Sequence, residues 1–346
     1  MTRAARFAWP PAAAILLAGV AGAAPAPRAA VVFSGPTMGT RYTVRVVMAP
    51  GDAAENDRVR AAIDRELALA DRLFSLWNPA SELSRLNAHA STAPFPVSPE
   101  MLAALSLARR AAELTGGAID ATVAPLVEAW GFGPSEKPPS VPSAEALAAL
   151  RARVGYRQLS LDPARRTVAK ARPDVACDLA ALAGGWAADR LVAAIAALGH
   201  PDALAEVGGE VSARGRRPDG SRWRVAVEAP QGGKVAAVLE LEGAAAATSG
   251  DTRKAWTDPQ GRRRSHVIDP RTGEPIAHGL AAVTVVHRDG AWADALATAL
   301  LVLGPDAGRA LAKRERLAAR LVLRQPDGTH AEWWTPAFEA SVSPAR

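Results

Sequence analysis

The sequence predicts an α+β fold, with mixed helices and mainly antiparallel strands. Two observations carry this expectation. Segments with period-two alternation and segments with helical spacing are both present, and they do not alternate as regular βαβ units. Turn signals such as "PDG", "NP" and paired glycines also punctuate short strands, as antiparallel hairpins require.

The elements follow in order. "VVFSGPTMGTRYTVRVVMA" alternates like two strands around a turn at Gly35-Pro36. From Arg58 to Trp77, the spacing of Ile63, Leu67, Ala70, Phe74 and Trp77 marks an amphipathic helix that Asn78-Pro79 ends. A second helix is expected from Pro99 to Leu114, stopped by Gly116-Gly117. "PSEKPPSVPS", residues 134–143, reads as a surface connection. A third helix is expected to follow Gly184-Gly185 and to end near Gly199, with Leu191, Ile195 and Leu198 on one face. "WRVAVEAP", "AAVLELEG", "LAAVTVVH" and "ARLVLRQPDGTHAEWW" read as strands, the last as a hairpin turning at "PDG". "WADALATALLVLG", Trp292 to Gly304, is a helix by composition.

The 346 residues suit one large domain or two smaller ones, and 49% apolar residues suffice for a core. The net charge of +6 is scattered. "GRRRSH" is its one cluster and no aromatics interleave with it, which argues against a nucleic-acid surface. Residues 1–29 read as a signal peptide: Arg3 and Arg6, the apolar "PPAAAILLAGVAGAA", then small residues for cleavage. The expected product is an exported, periplasmic or cell-envelope protein of residues 30–346, soluble once the signal is cleaved. No later stretch reads as a membrane span. Cys177 is the single cysteine, expected buried, so neither an intramolecular disulfide nor a cysteine metal cluster is available.

Several polar clusters invite chemistry. "RSHVIDPRTGEPIAHGL", Arg264 to Leu280, sets His266, Asp269, Arg271 and Thr272 around two prolines and Gly273, so the polar groups sit on a rigid loop. Asp294 and Thr298 are four apart on a helix and share one face. Their oxygens suit a hard cation such as Mg²⁺, although taken alone a helix-terminal Asp and a backbone-bonded Thr explain the pair better. "TGGAIDATVAPLVEAWGFG" places Asp120 and Thr122 after a glycine pair, and "CDLAALAGGWAADR" places Asp178 before a small-residue run. "EVGGEVSARG" and "ATSGD" are further glycine-rich strand ends. None of these has Walker or Rossmann spacing.

Taken together and in this order, "GPTMGTRY", "SLWNPASELSRLN", "TGGAIDATVAPLVEAWGFG", "DLAALAGGWAADR", "EVGGEV", "TSGD", "HVIDPRTGEP" and "ADALATALLVLG" resemble the ApbE family of flavin transferases. The resemblance runs from about Val32 to Gly304. It implies two lobes with a flavin cleft between them, and Mg²⁺-dependent transfer of FMN from FAD to a Ser or Thr hydroxyl of an acceptor flavoprotein, with release of AMP. The export signal points to membrane-associated acceptors.

By the same resemblance, Met38, Trp77, Ala118, Ile119, Asp120, Asp178 and Ile268 match FAD-contacting positions. The backbone carbonyl of Ala181 and the side chains of Asp294 and Thr298 match the magnesium site. His266 matches a histidine implicated in transfer. His266 or Asp269 would take the hydroxyl proton, and Arg271 would brace the loop. The family's "DLGGIAKGY" reads "DLAALAGGW" here, which places Gly184 where the family has a cofactor-binding lysine. A hydrogen bond to a charged group is worth about 1.5–3 kcal/mol, so the expectation is FAD binding weakened by roughly ten- to a hundredfold. Trp186, in place of a tyrosine, would recover some of it by stacking. Two alternatives remain: a divergent FAD-binding protein without transfer, and an FAD pyrophosphatase releasing FMN and AMP.

Overall fold

The computed structural model describes residues 29–135, 138–229, 233–251 and 255–343. The signal peptide expected at residues 1–29 lies outside the described residues, apart from Ala29.

The architecture is α+β around one eight-stranded sheet. Its strands are Ala29–Thr37, Thr40–Met48, Ala203–Val207, Glu210–Arg214, Ala244–Gly250, Leu280–His287, Ala318–Arg324 and His330–Trp334. They lie side by side in that order, and every pairing is antiparallel. The sheet is thus a meander interrupted by excursions. The longest excursion leaves after Met48, carries the helices Ala53–Phe74, Pro99–Thr115 and Ala180–Ala197, and returns at Ala203.

Alternation along each strand decides what covers each face. In Thr40–Met48, Tyr42, Val44, Val46 and Met48 enter the main core beneath the helices, while Val47 joins a second core on the opposite face. That second core lies under a separate hairpin of Trp223–Glu228 and Val235–Leu241, with Trp223, Val227, Leu239 and Leu241 facing the sheet. A third, small core gathers Leu126, Trp130 and Ile268.

The helices Ala180–Ala197 and Gly290–Arg314 are long and apolar enough to cross a membrane by length and composition. Here they pack on one another and on the sheet, which accounts for their composition. Contact between them requires glycine. A Cβ on Gly185 would lie 2.1 Å from the carbonyl oxygen of Gly290, a backbone atom with nowhere to yield. The pair Gly184-Gly185 therefore sits inside a helix that starts at Ala180. The sequence expectation of a helix beginning after it is corrected.

Three other boundaries differ from expectation. The first hairpin turns at Met38-Gly39, with φ of 48° and 70°, and not at Gly35-Pro36, which lies within the strand. Two consecutive positive φ angles give the twist a two-residue hairpin needs. The helix expected at Trp292–Gly304 begins at Gly290, capped by Asp289, and continues past an interruption at Gly304. The helix expected from Arg58 to Trp77 is Ala53–Phe74, capped by Asp52. The "PDG" hairpin forms as the pattern requires, with Gly328 at φ 82°.

Candidate active site

A cleft of about 390 Å³ opens where the sheet strand Ala244–Gly250 ends against the helical excursion. Its wall brings together ten of the thirteen residues that the sequence singled out. They are Trp77, Ala118, Ile119, Asp120, Asp178, Ala181, His266, Ile268, Asp294 and Thr298. The size and the mix of apolar wall with few polar groups suit a small-molecule site.

Asp294 and Thr298 project from the helix that starts at Gly290. The N–H of Gly185 donates to Asp294 Oδ2 at 3.2 Å, and the hydroxyls of Thr298 and Ser249 share a hydrogen bond of 2.9 Å. Burial raises the carboxyl pKa of Asp294 well above the ordinary aspartate value, against the opposing pull of the Gly185 N–H. Neither contact is the helix-terminal role or the backbone bond that explained this pair best in isolation. A buried carboxylate, a hydroxyl and Ala181 in one wall make an oxygen donor set of the kind hard cations take. Among the described residues no three His, Cys, Asp or Glu side chains cluster as a metal-ion site, so any cation here would draw on the Thr298 hydroxyl and backbone carbonyls besides Asp294.

Two further acids face the cleft. Asp120 follows the left-handed Gly116-Gly117 stop and accepts from the N–H and the hydroxyl of Thr122, at 2.8 and 2.7 Å. Asp178 accepts the N–H of Ala180 at 2.7 Å, and its own N–H donates to the Ala121 carbonyl at 2.7 Å, which ties the two acid-bearing segments together. Burial raises both carboxyl pKa values, partly offset by those hydrogen bonds.

The loop bearing His266 is a tight hairpin. Asp269 N–H donates to Glu274 O, Gly273 N–H to Asp269 O and Ile276 N–H to Val267 O, while Gly273 takes φ 79°. Trp130 pins it from below by donating Nε1–H to Gly273 O at 2.8 Å. His266 lines the cleft with its ring edge against Phe132, centroids 6.2 Å apart. Asp269 does not line the cleft. Its two oxygens take the Arg271 guanidinium at 2.9 and 2.8 Å and the Arg271 N–H at 2.9 Å, the bracing expected of Arg271.

Met38 and Gly184 also lie outside the cleft wall. Met38 stands at the hairpin turn beside a separate cavity shared with Arg60, Asp64 and Asp71. A Cβ on Gly184 would come within 2.5 Å of Glu210 Oε2, so this position faces Glu210, which itself lines the cleft. Trp186 packs edge-on against Phe74 at 5.0 Å and is not in the cleft wall. Sequence reasoning missed Glu210, Phe132 and Ser249 as site residues. "EVGGEV", "TSGD" and "TGGAIDATVAPLVEAWGFG" flagged all three segments without identifying these side chains.

Comparison with known proteins shows the family. The ApbE family model matches residues 38–321. The FAD:protein FMN transferase of Klebsiella pneumoniae is 38% identical over 313 residues, covering 89% of this chain and 88% of that protein. The FAD:protein FMN transferase of Vibrio cholerae is 38% identical over 319 residues, covering 92% and 94%. Among solved structures, flavin transferase ApbE from Vibrio cholerae superposes with a TM-score of 0.83 at 37% identity, covering 91% of this chain and all of that one. The apo flavinyl transferase ApbE of Pseudomonas stutzeri also gives 0.83 at 37% identity, covering 92% and 98%. The chain belongs to the ApbE family.

Proposed function

We propose that this protein transfers FMN from FAD to a Ser or Thr hydroxyl of an acceptor flavoprotein and releases AMP. The observation that carries the reading is the meeting of His266, Asp294 and Thr298 with Asp120 and Asp178 in one cleft, on a chain whose relatives are named FAD:protein FMN transferases.

The chemistry divides by residue. Asp120 and Asp178 present carboxylates to hydrogen-bonding groups of FAD, and exposed Trp77 offers a flat apolar surface at the mouth. Asp294, Thr298 and the carbonyl of Ala181 would hold Mg²⁺. When bound, it neutralises diphosphate charge and makes the phosphorus more electrophilic. The acceptor hydroxyl attacks the FMN-side phosphorus in line. A new P–O bond forms, the P–O bond to AMP breaks, and AMP leaves with the electron pair. His266 takes the hydroxyl proton. Asp269, committed to Arg271, holds the loop that aims His266.

The leader reading places the reaction in the periplasm or cell envelope, with acceptors exposed there on membrane flavoproteins. Mass spectrometry of the exported protein should find its N-terminus between Ala24 and Val31. An intact Met1 on cytoplasmic protein would reject the export reading.

The functional test is a denaturing gel of host envelope proteins incubated with FAD, Mg²⁺ and this protein, with AMP measured in parallel. A flavin-fluorescent acceptor band with matching AMP is the expected result. AMP with free FMN and no band would make it a pyrophosphatase. FAD binding without AMP would make it a binder.

A further inference from the structure

The Thr298 hydroxyl departs from the habit of other helix hydroxyls in this chain, and the departure points at Ser249. Ser106 and Thr115 each donate to the carbonyl four residues back, at 2.7 Å. Such a bond satisfies a hydroxyl within its own helix and asks nothing of a neighbour. Among the described residues Thr298 makes no bond of this kind. Its Oγ1 lies instead 2.9 Å from Ser249 Oγ, on the strand Ala244–Gly250 against which the helix packs. Satisfying Thr298 does not by itself require Ser249, so the bond between them has another use.

The sheet places Ser249 for that use. Alternation turns Thr248 to the opposite face, where its hydroxyl pairs with Thr284 at 3.0 Å. Ala247 and Ser249 face the helices, with Ala247 buried in the main core and Ser249 in the cleft wall. The residue beside Ser249 on the next strand is Val283, a core residue with no polar side chain to offer. Ser249 and Thr298 therefore join strand to helix in the wall that also holds Asp294 and Ala181.

The direction of this bond matters at a cation. A hydroxyl carries one proton and two lone pairs. Giving a lone pair to a cation requires the proton to point away from the ion, toward an acceptor, and Ser249 Oγ is in reach to accept it. The opposite polarity, with Ser249 donating, would occupy a Thr298 lone pair and let the Thr298 proton turn toward the ion. We infer that Ser249 is a positioning residue for the cation site: it accepts the Thr298 proton and so keeps a Thr298 lone pair aimed at the ion. The inference rests on the magnesium reading of Asp294, Thr298 and Ala181 above. Ser249 acts through Thr298 and is not itself a ligand. Partners that orient a ligand in this way set metal affinity by roughly 10- to 100-fold.

The test measures ion binding directly. Mn²⁺ is titrated into the protein, alone and with one equivalent of FAD, and the free ion is counted by its EPR signal, with Mg²⁺ as competitor. Wild type, Asp294→Asn, Thr298→Val, Ser249→Ala, Ser249→Thr and Ser249→Ala/Thr298→Val are compared, and melting temperatures are taken without metal. Wild type should bind Mn²⁺ that Mg²⁺ displaces, and Asp294→Asn should weaken that binding. Ser249→Ala should raise the Mn²⁺ dissociation constant about tenfold or more, while Ser249→Thr, which restores the acceptor, should stay within about threefold of wild type. In the Thr298→Val background Ser249→Ala should change affinity by less than about twofold, because the hydroxyl it positions is gone. If neither wild type nor Asp294→Asn binds Mn²⁺, or both bind it alike, the magnesium reading falls and this inference with it. If Asp294→Asn weakens binding and Ser249→Ala only lowers the melting temperature, Ser249 is a packing residue and this inference alone is overturned. Equal losses in Ser249→Ala and Ser249→Thr would trace the effect to shape and overturn it too. A full further loss in the Thr298→Val background would do the same, because Ser249 would then act on the ion without Thr298.

Discussion

Asp269 and Asp294 are both buried carboxylates from the most specific motifs in the chain, and their surroundings are opposite. Asp269 lies in a loop that supplies its own counter-charge: Arg271 binds both its oxygens and closes the turn. Asp294 lies at the start of a core helix and receives a backbone N–H from Gly185, with burial driving its pKa upward. A carboxylate already paired within its loop serves geometry. One held in a ligand-sized cleft with a hydroxyl and Ala181 beside it has the chemistry of a hard-cation ligand, the role proposed for it.

The largest expected effect follows from removing the second kind of charge. Asp294→Asn should lower Mg²⁺-dependent AMP release on the order of 100-fold or more, the scale of one lost electrostatic element in a water-poor site. Without Mg²⁺ the variant should melt no lower than wild type, because a buried charge has been removed and an amide oxygen can still accept the Gly185 N–H. Turnover within twofold of wild type and an unchanged Mg²⁺ requirement would reduce Asp294 to a structural group.

The next test sets the two residues of the loop against each other. His266→Gln should cut turnover by about 10²–10⁴, the range for losing a general base, with FAD still bound. Asp269→Asn should act mainly on the loop, costing about 1.5–3 kcal/mol through weakened charge-assisted bonds to Arg271, with a smaller loss of turnover. Thermal melts and steady-state assays on both variants separate the cases. Should Asp269→Asn prove the more damaging to turnover at full stability, the proton acceptor would be Asp269.

A third variant links Asp294 to the helix crossing beneath it. Gly185→Ala adds a methyl where the Gly290 carbonyl already sits, and overpacking of this kind costs about 1–3 kcal/mol. Relaxing the clash must also move the N–H that holds Asp294. The melting point and the Mg²⁺ concentration for half-maximal activity should therefore shift together. A lowered melting point with an unchanged Mg²⁺ requirement would uncouple the crossing from the site.

Part of this is legible in the sequence alone. The strands around "LAAVTVVH" and the "PDG" hairpin follow from alternation and turn chemistry, because both are local signals. The rigid loop at His266 follows from its prolines and Gly273 for the same reason. Long-range packing left weaker traces. Gly184-Gly185 looked like a helix start because glycine signals loops locally, yet Gly185 answers to Gly290, far away in sequence. The short strands Ala203–Val207 and Glu210–Arg214 and the pairing of Ser249 with Thr298 leave no periodic mark. The covering of each sheet face depends on which hairpin folds over it, which alternation alone does not specify.

Gly184 carries the smallest and most instructive expectation. Sequence resemblance placed a cofactor-binding lysine there and implied a ten- to hundredfold penalty for its absence. In the structure a side chain at Gly184 would meet Glu210, not the cleft directly. A lysine at this position would first meet the Glu210 carboxylate, which lines the cleft and is of the same sign as a diphosphate. A partly exposed ion pair is worth about 0–1 kcal/mol, so Gly184→Lys should tighten FAD binding by no more than about fivefold. Glu210→Gln removes the same negative charge without adding a cation and should match it. Titrating FAD against wild type, Gly184→Lys, Glu210→Gln and the double variant decides the route. If neutralisation is the mechanism, the second change adds little once the first is made. A lysine that still gains tenfold or more in the Glu210→Gln background would be touching FAD itself, and Gly184 would then face the substrate in the bound state.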